Sequence, residues 1–346
     1  MSANVCRAAV AALLAAVAVA AVVAQTVPQQ DPAKRERAEE LMRRVNKGGA
    51  PLTDAELAEL LDYAPAETVD VSMVMVPVLV LDRWGRPISG LEAGDFQVEE
   101  AGRRRKIAWF SEEQDRPVRV ALLLDVSESM GTPVQSERTK QALLPLLWAF
   151  GRRDKMTLLG FAAEEVATYG DWTEEPLSLY EKALAIPRRG KTAVIDALRE
   201  SSELLPRTPG ERQAIVLISD GVDNASVTHP GQVVSAARSV GVPIYVLAVG
   251  GREVLIQEKR ANEENRPGNS PLLLLRQIAR MTGGRFFFIE DERRAKQAAE
   301  TIRDDLRHQY WLGFRPGKRP DGTYRTLRVT VDRSGATVLA RAGYRQ

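Results

Sequence analysis

Apolar runs spaced through the middle of the chain constrain its fold more than any other feature. VRVALLLD (118–125), KMTLLGFA (155–162), QAIVLISD (213–220) and VPIYVLAVG (242–250) are each long enough for a buried strand, and GRFFFI (284–289) closes the set. Apolarity that continues without alternation means that both faces of such a strand are covered. Between the runs lie stretches of helical spacing that begin near Gln135, Ala193, Pro230 and Leu272. Alternation of this kind predicts a Rossmann-like, doubly wound α/β sheet, mostly parallel, over residues 116–303. EEVATYGDW follows LLGFAA too closely for a crossover and is expected as an antiparallel edge hairpin. Pro145 falls inside the first predicted helix and should kink it.

On either side of this middle the period changes to two. VDVSMVMVPVLVLD predicts a strand, DRWGRP a turn, and DFQVEEAGRRRKIAWF two strands joined at Ala101-Gly102. At the far end Leu327, Val329 and Val331 alternate with polar residues, the chain turns at Ser334-Gly335, and a further strand follows. The expected organisation is a β-domain whose two parts, residues 67–115 and 304–346, pair around an inserted α/β domain. Residues 25–66 read as a helical lead-in or linker, with Thr53 and Glu56 at capping-box spacing. RRRK at 103–106 fits a solvated hairpin end, or else a basic docking patch.

The first 24 residues have one positive charge at Arg7, an Ala/Val-rich stretch, and small residues at Val22 and Ala24 before polar Gln25. This is the pattern of a secretory signal peptide cut after Ala24, with an uncleaved anchor as the alternative. The protein is therefore expected to be exported, to the periplasm or to the cell surface and beyond, with membrane contact only if that segment is retained. The single cysteine, Cys6, lies inside it, so the mature chain has no disulfide and no thiol chemistry. The two histidines, His229 and His308, have no acidic or cysteine company in sequence, which argues against zinc. A net charge of +2 on 48 basic and 46 acidic residues is too balanced for a nucleic-acid binder.

In open α/β sheets function gathers where strands end and helices begin. The first run delivers Asp125, then Ser127 and Ser129; LISDGVDN delivers Ser219, Asp220 and Gly221; and the turn RRGKTAV brings Thr192 to the same edge. DVSES taken by itself fits a helix N-cap as well as a binding turn. Taken together, two carboxylates and three hydroxyls form a hard-oxygen set that suits Mg²⁺ or Mn²⁺ and disfavours zinc or copper. Hydroxyl ligands are neutral, so the ion would keep positive charge with which to attract an external carboxylate. The polar segment 258–271 leaves from this edge and either borders the ion or is a permissive surface loop.

These residues resemble the metal-ion-dependent adhesion site of the von Willebrand factor A-type domain: an Asp-x-Ser-x-Ser turn (Asp125, Ser127, Ser129) plus a distant Thr (Thr192) and a distant Asp (Asp220). The flanks VLVLDRWGRPISGLEAGDFQVEEAGRRRKI, LRHQYWLGFRP and ARAGY are similar to those of a bacterial group of exported A-domain-related proteins, so the resemblance spans about residues 68–346. It implies an Mg²⁺ or Mn²⁺ ion held directly or through water by these five residues. A protein partner would place an acidic residue in the remaining coordination position. The expected function is metal-dependent protein binding or adhesion at the cell envelope, the alternative being a structural scaffold whose metal is only stabilising or absent. No enzyme is expected. A phosphatase of the haloacid-dehalogenase kind needs a second carboxylate where Ser127 stands, and neither a Ser-His-Asp set nor a phosphate-binding glycine loop is present.

Overall fold

The computed structural model describes residues 73–112, 116–151, 153–162, 165–205, 212–220, 241–251, 254–256, 272–317 and 322–345, with scattered positions between 33 and 59. The leader segment 1–24, His229, the helix expected from Pro230 and the segment 258–271 lie outside the described residues.

The chain divides into two compact units, one made of Met1–Ala50 and Asp54–Val69 and the other of Pro51–Thr53 and Asp70–Gln346. In the first, Ala33, Glu36, Arg37, Glu40, Leu41, Arg43 and Arg44 are helical, as are Ala55, Glu56 and Glu59. Arg44 joins the two stretches through a two-pronged ion pair with Glu56, at 2.8 and 2.6 Å.

In the second unit the apolar runs form a six-stranded sheet. Its strands are β5 (Val118–Asp125), β6 (Lys155–Ala162), β7 (Glu165–Thr173), β8 (Arg212–Ser219), β9 (Ile244–Val249) and β10 (Phe286–Ile289), in the spatial order β10-β9-β8-β5-β6-β7. All neighbours are parallel except β6 and β7, the antiparallel edge hairpin read from the short EEVATYGDW connection. Five helices are described around the sheet: α1 (Pro133–Ala149), α2 (Ser178–Ala185), α3 (Val194–Leu204), α4 (Leu273–Thr282) and α5 (Glu292–Arg307). Strand alternation sorts β5 into two cores. Val118, Val120, Leu122 and Leu124 join the α1 and α5 side, whereas Ala121 and Leu123 join the α3 and α4 side. A Leu or Val buried this fully contributes roughly 1.5–3 kcal/mol of transfer free energy, so burial on both faces anchors β5 in the sheet. The α1 helix runs on through Pro145 to Ala149.

The flanking segments form two four-stranded sheets. One has the order β13-β1-β11-β4 and the other β14-β12-β2-β3. Their strands are β1 (Val74–Leu81), β2 (Phe96–Glu100), β3 (Arg103–Arg105), β4 (Ile107–Ser111), β11 (Tyr310–Phe314), β12 (Tyr324–Val331), β13 (Thr337–Ala340) and β14 (Gly343–Arg345). Residues from before and after the α/β sheet pair directly: β1 with β11 and β13, and β2 with β12. Val76, Val78, Val98, Leu312, Phe314 and Tyr344 meet in one shared core, so the two sheets are the layers of a sandwich.

One local expectation changes here. DFQVEEAGRRRKIAWF makes three strands rather than two. The turn at Ala101-Gly102 is present, both residues having positive φ (48° and 74°), as a tight hairpin requires. Beyond it the chain breaks at Lys106: Arg103–Arg105 stay beside β2, while Ile107–Ser111 cross to the other sheet. Burial accounts for the break, because Arg103 and Arg104 are exposed whereas Ile107 and Trp109 are buried. The strands before and after the turn at Ser334-Gly335 lie in different sheets, β12 beside β2 and β13 beside β1.

Candidate metal centre

β5 ends in Asp125, whose carboxylate is fully buried. One oxygen, Oδ1, accepts the Ser127 backbone N–H at 3.0 Å; the other, Oδ2, accepts the Ser219 hydroxyl at 2.7 Å. Ser219 is the last residue of β8, the parallel neighbour of β5, so strand register delivers that hydroxyl. Asp220 follows it directly and is itself 7% exposed.

After Asp125 the chain makes a single 3₁₀ turn, Glu128–Gly131, and then enters α1. Here the two accounts of DVSES separate. The cap of α1 is Thr132, whose Oγ1 accepts the Gln135 N–H at 3.3 Å, with Pro133 at the first helical position. Ser127 precedes the 3₁₀ turn and makes no side-chain cap bond; its Oγ lies 3.1 Å from the Ser129 Oγ. The hydroxyls of the motif face each other rather than closing the helix end.

Thr192, buried at 1% exposure, stands on the loop between α2 and α3. Backbone bonds fasten that loop to the Asp125 turn. The Arg189 N–H donates to the Val126 carbonyl at 2.9 Å, and the Glu128 N–H to the Gly190 carbonyl at 3.0 Å. A third bond, from the Val126 N–H to the Phe161 carbonyl at 3.0 Å, ties the turn to β6. All five candidate residues, Asp125, Ser127, Ser129, Thr192 and Asp220, thus stand on the carboxyl edge of the sheet, on three separate loops. Ser129 is exposed at the rim, while Asp125, Ser127, Thr192 and Asp220 are buried.

Electrostatics at this edge favour a cation. Burial pushes the Asp125 carboxyl up to about 6, against the opposing pull of its Ser127 and Ser219 hydrogen bonds, and the nearby charge of Asp220 adds to the rise. Two desolvated carboxylates side by side repel each other, and a divalent ion between them would reverse that cost. The donor set fits such an ion: every side-chain ligand available is oxygen, and three of the five are neutral hydroxyls.

Ser219, which the sequence places on this edge beside Asp220 without making it a ligand, joins the site as a donor to Asp125.

A family model described as the von Willebrand factor type A domain matches residues 120–222, a span that holds all five candidate residues. Among solved structures, the chain is similar to an aerotolerance-related membrane protein of Bacteroides fragilis. Identity there is 22%, with 55% of this chain and 98% of that chain covered and a TM-score of 0.43. It is similar also to a von Willebrand factor type A protein of Catenulispora acidiphila, at 12% identity over 81% of this chain and 75% of that one, with a TM-score of 0.43. A third is proximal thread matrix protein 1 of the mussel byssus, described with a zinc-occupied MIDAS motif. It matches at 14% identity over 59% of this chain and 48% of that one, with a TM-score of 0.42. No curated protein matches the chain.

Proposed function

We propose, taking as premise that this chain carries a von Willebrand factor type A domain, that the carboxyl edge of its sheet is a divalent-cation site through which the protein binds another protein. Domains of this type are protein-interaction modules, and the donor chemistry narrows how this one would act. Asp125, Ser127, Ser129, Thr192 and Asp220 would hold Mg²⁺ or Mn²⁺, directly or through water. Ser129, exposed at the rim, marks the side from which a partner would approach. Because three of the five ligands are neutral hydroxyls, the ion would keep positive charge at an open coordination position and would draw an acidic side chain from the partner there. Binding rather than catalysis is proposed, on the domain type and on a donor set made only of carboxylate and hydroxyl oxygens. The apolar leader of the sequence supports export, which would place this activity at the cell envelope.

The observation that carries the proposal is the arrangement of Asp125: a fully buried carboxylate, next to a second one, at a turn whose serines do not cap the following helix. A calorimetric titration of the purified protein with Mg²⁺ and with Mn²⁺ tests it. Saturable binding is expected in the wild type, with the signal lost in Asp125→Ala. A partner captured by the wild type should be released by chelator and should not be retained by Asp220→Ala. Wild-type protein that takes up neither ion would end the metal proposal and leave the sandwich as the contact surface of a structural scaffold.

A further inference from the structure

Among the described residues β10 ends the six-stranded sheet and β13 ends one sheet of the sandwich. Between these edge strands, beside α4, lies an open cavity of about 340 Å³. Phe286, which lines it, is the first residue of β10, so the cavity sits at the amino ends of the parallel strands, away from Asp125. Leu81, Leu339 and Phe286 give it an apolar floor. Leu339 reaches that floor because Val338 and Ala340, its neighbours on β13, pack on the sandwich core and alternation turns Leu339 the other way.

The rest of the wall is basic. Arg276, Arg280 and Arg285 line the cavity, and none of its lining residues is acidic. Arg276 and Arg280 stand one turn apart on α4, both exposed, and α4 contains no carboxylate to offset them. Like charges at this spacing weaken a helix rather than support it. The Arg276 guanidinium lies 4.1 Å from the centroid of the Phe286 ring, so charge and apolar floor meet. Arg285 Nη1 is occupied by the buried Asp305 carboxylate and by the Gly85 carbonyl. That last bond continues the surface into the turn after β1. There Trp84 is 64% exposed, with the Arg83 and Arg86 guanidiniums 4.0 and 4.8 Å from its ring centroid, and Asp82 pairs with Arg86 at 2.9 Å. Tryptophan and arginine are the side chains enriched where protein interfaces hold most strongly.

We propose that this cavity is a docking site, separate from the metal edge, for an acidic segment of a partner protein. Carboxylates of the segment pair with Arg276 and Arg280, whose planar forks match carboxylate geometry, and an apolar side chain between them fills the floor. Charge complementarity selects this occupant. A bare anion would leave Leu81, Leu339 and Phe286 uncovered, and a purely apolar ligand would leave the arginines without a counter-charge.

The test uses the full chain at low salt and a fluorescently labelled peptide, Glu-Glu-Leu-Glu-Glu, read by anisotropy. Chelator is present throughout, so that no bound ion can attract the peptide to the sheet's carboxyl edge. Saturable binding is expected in the wild type, about tenfold weaker in Arg280→Glu and unchanged in Arg104→Glu, on the β2–β3 hairpin. Replacing the peptide's Leu by Gly should weaken binding by about tenfold as well, a change that leaves the folding of the protein untouched. Asp125→Ala should bind the peptide as the wild type does. No binding by the wild type overturns the proposal. So does equal affinity for the Gly peptide, which would mean that the arginines attract any anion. An equal loss in Arg104→Glu would mean diffuse attraction to basic surface, and a loss in Asp125→Ala would move the peptide to the metal edge; either overturns it.

Discussion

Glu100 shows how a single residue can set the acid tolerance of the sandwich. It is 1% exposed, and four donors reach it: the Tyr344 hydroxyl, the Gly317 N–H at 2.9 Å, Arg105 Nε at 2.8 Å and Arg325 Nη1 at 3.3 Å. Burial alone would raise its pKa, but these hydrogen bonds outweigh burial and hold the carboxyl below the usual glutamate value. A group whose folded pKa is depressed stabilises the fold above its unfolded pKa of about 4.3, and that contribution is lost as the pH falls through the folded value. Glu100→Gln should therefore cost about 3–5 kcal/mol at neutral pH, because Arg105 and Arg325 are left near an uncharged group. It should also remove part of the stability that the wild type loses below about pH 4. Denaturant unfolding at pH 7 and pH 3.5 measures both; an equal loss at the two values would contradict the account.

Among the elements, α1 separates local capping from the chemistry of the turn before it. Thr132→Ala removes the cap and should lower stability by about 1 kcal/mol while leaving Mn²⁺ affinity unchanged, as thermal melts and titration in parallel would show. The apolar runs made the sheet strands legible in the sequence, since a strand buried on both faces leaves a continuous signature. The period-two stretches showed strands too, but not which sheet each joins. That choice at Lys106 depends on where Trp109 and Ile107 find apolar cover, a fact of the whole sandwich and not of neighbouring residues. The turn residues of the candidate site were visible because Asp and Ser stand where strands stop. The hydrogen bond from Ser219 to Asp125 was not, since it depends on the register of β8 against β5. The helices α2 and α5 had no separate signal either, α5 being rich in charge on its outer face.

At the scale of the whole second unit, the α/β sheet and the sandwich are joined by specific polar contacts. Arg285 Nη1 donates to both carboxylate oxygens of Asp305, at 3.2 and 3.3 Å, and to the Gly85 carbonyl in the turn after β1, at 3.2 Å. The Ala342 N–H donates to the Met281 carbonyl at 2.9 Å, and Gly283, in the left-handed conformation, lies against the backbone of Ala340. Asp305 is fully buried, and burial pushes its pKa up to about 7 even with Arg285 beside it; Asp304 adds to the rise. Its sign is opposite to that of Glu100. A raised carboxyl contributes fully below its unfolded pKa of about 3.9, and the contribution disappears as the pH climbs through about 7. Stability should accordingly decline between about pH 4 and 7, and Asp305→Asn should flatten that part of the curve. A wild-type profile that is level over this window would refute the assignment.

The register of β4 and β11 carries a consequence for how such a chain can change over evolutionary time. Ser111 and Trp311 are direct cross-strand partners, so the two ends of the α/β unit meet at the spacing of a hairpin, about 5 Å between Cα atoms. The sandwich therefore meets the α/β unit as it would meet a long loop at the tip of two adjacent strands. Gaining, losing or exchanging the unit asks for no new path through the sandwich. The carboxyl edge of the sheet can diversify as a cassette while the frame that carries it stays the same.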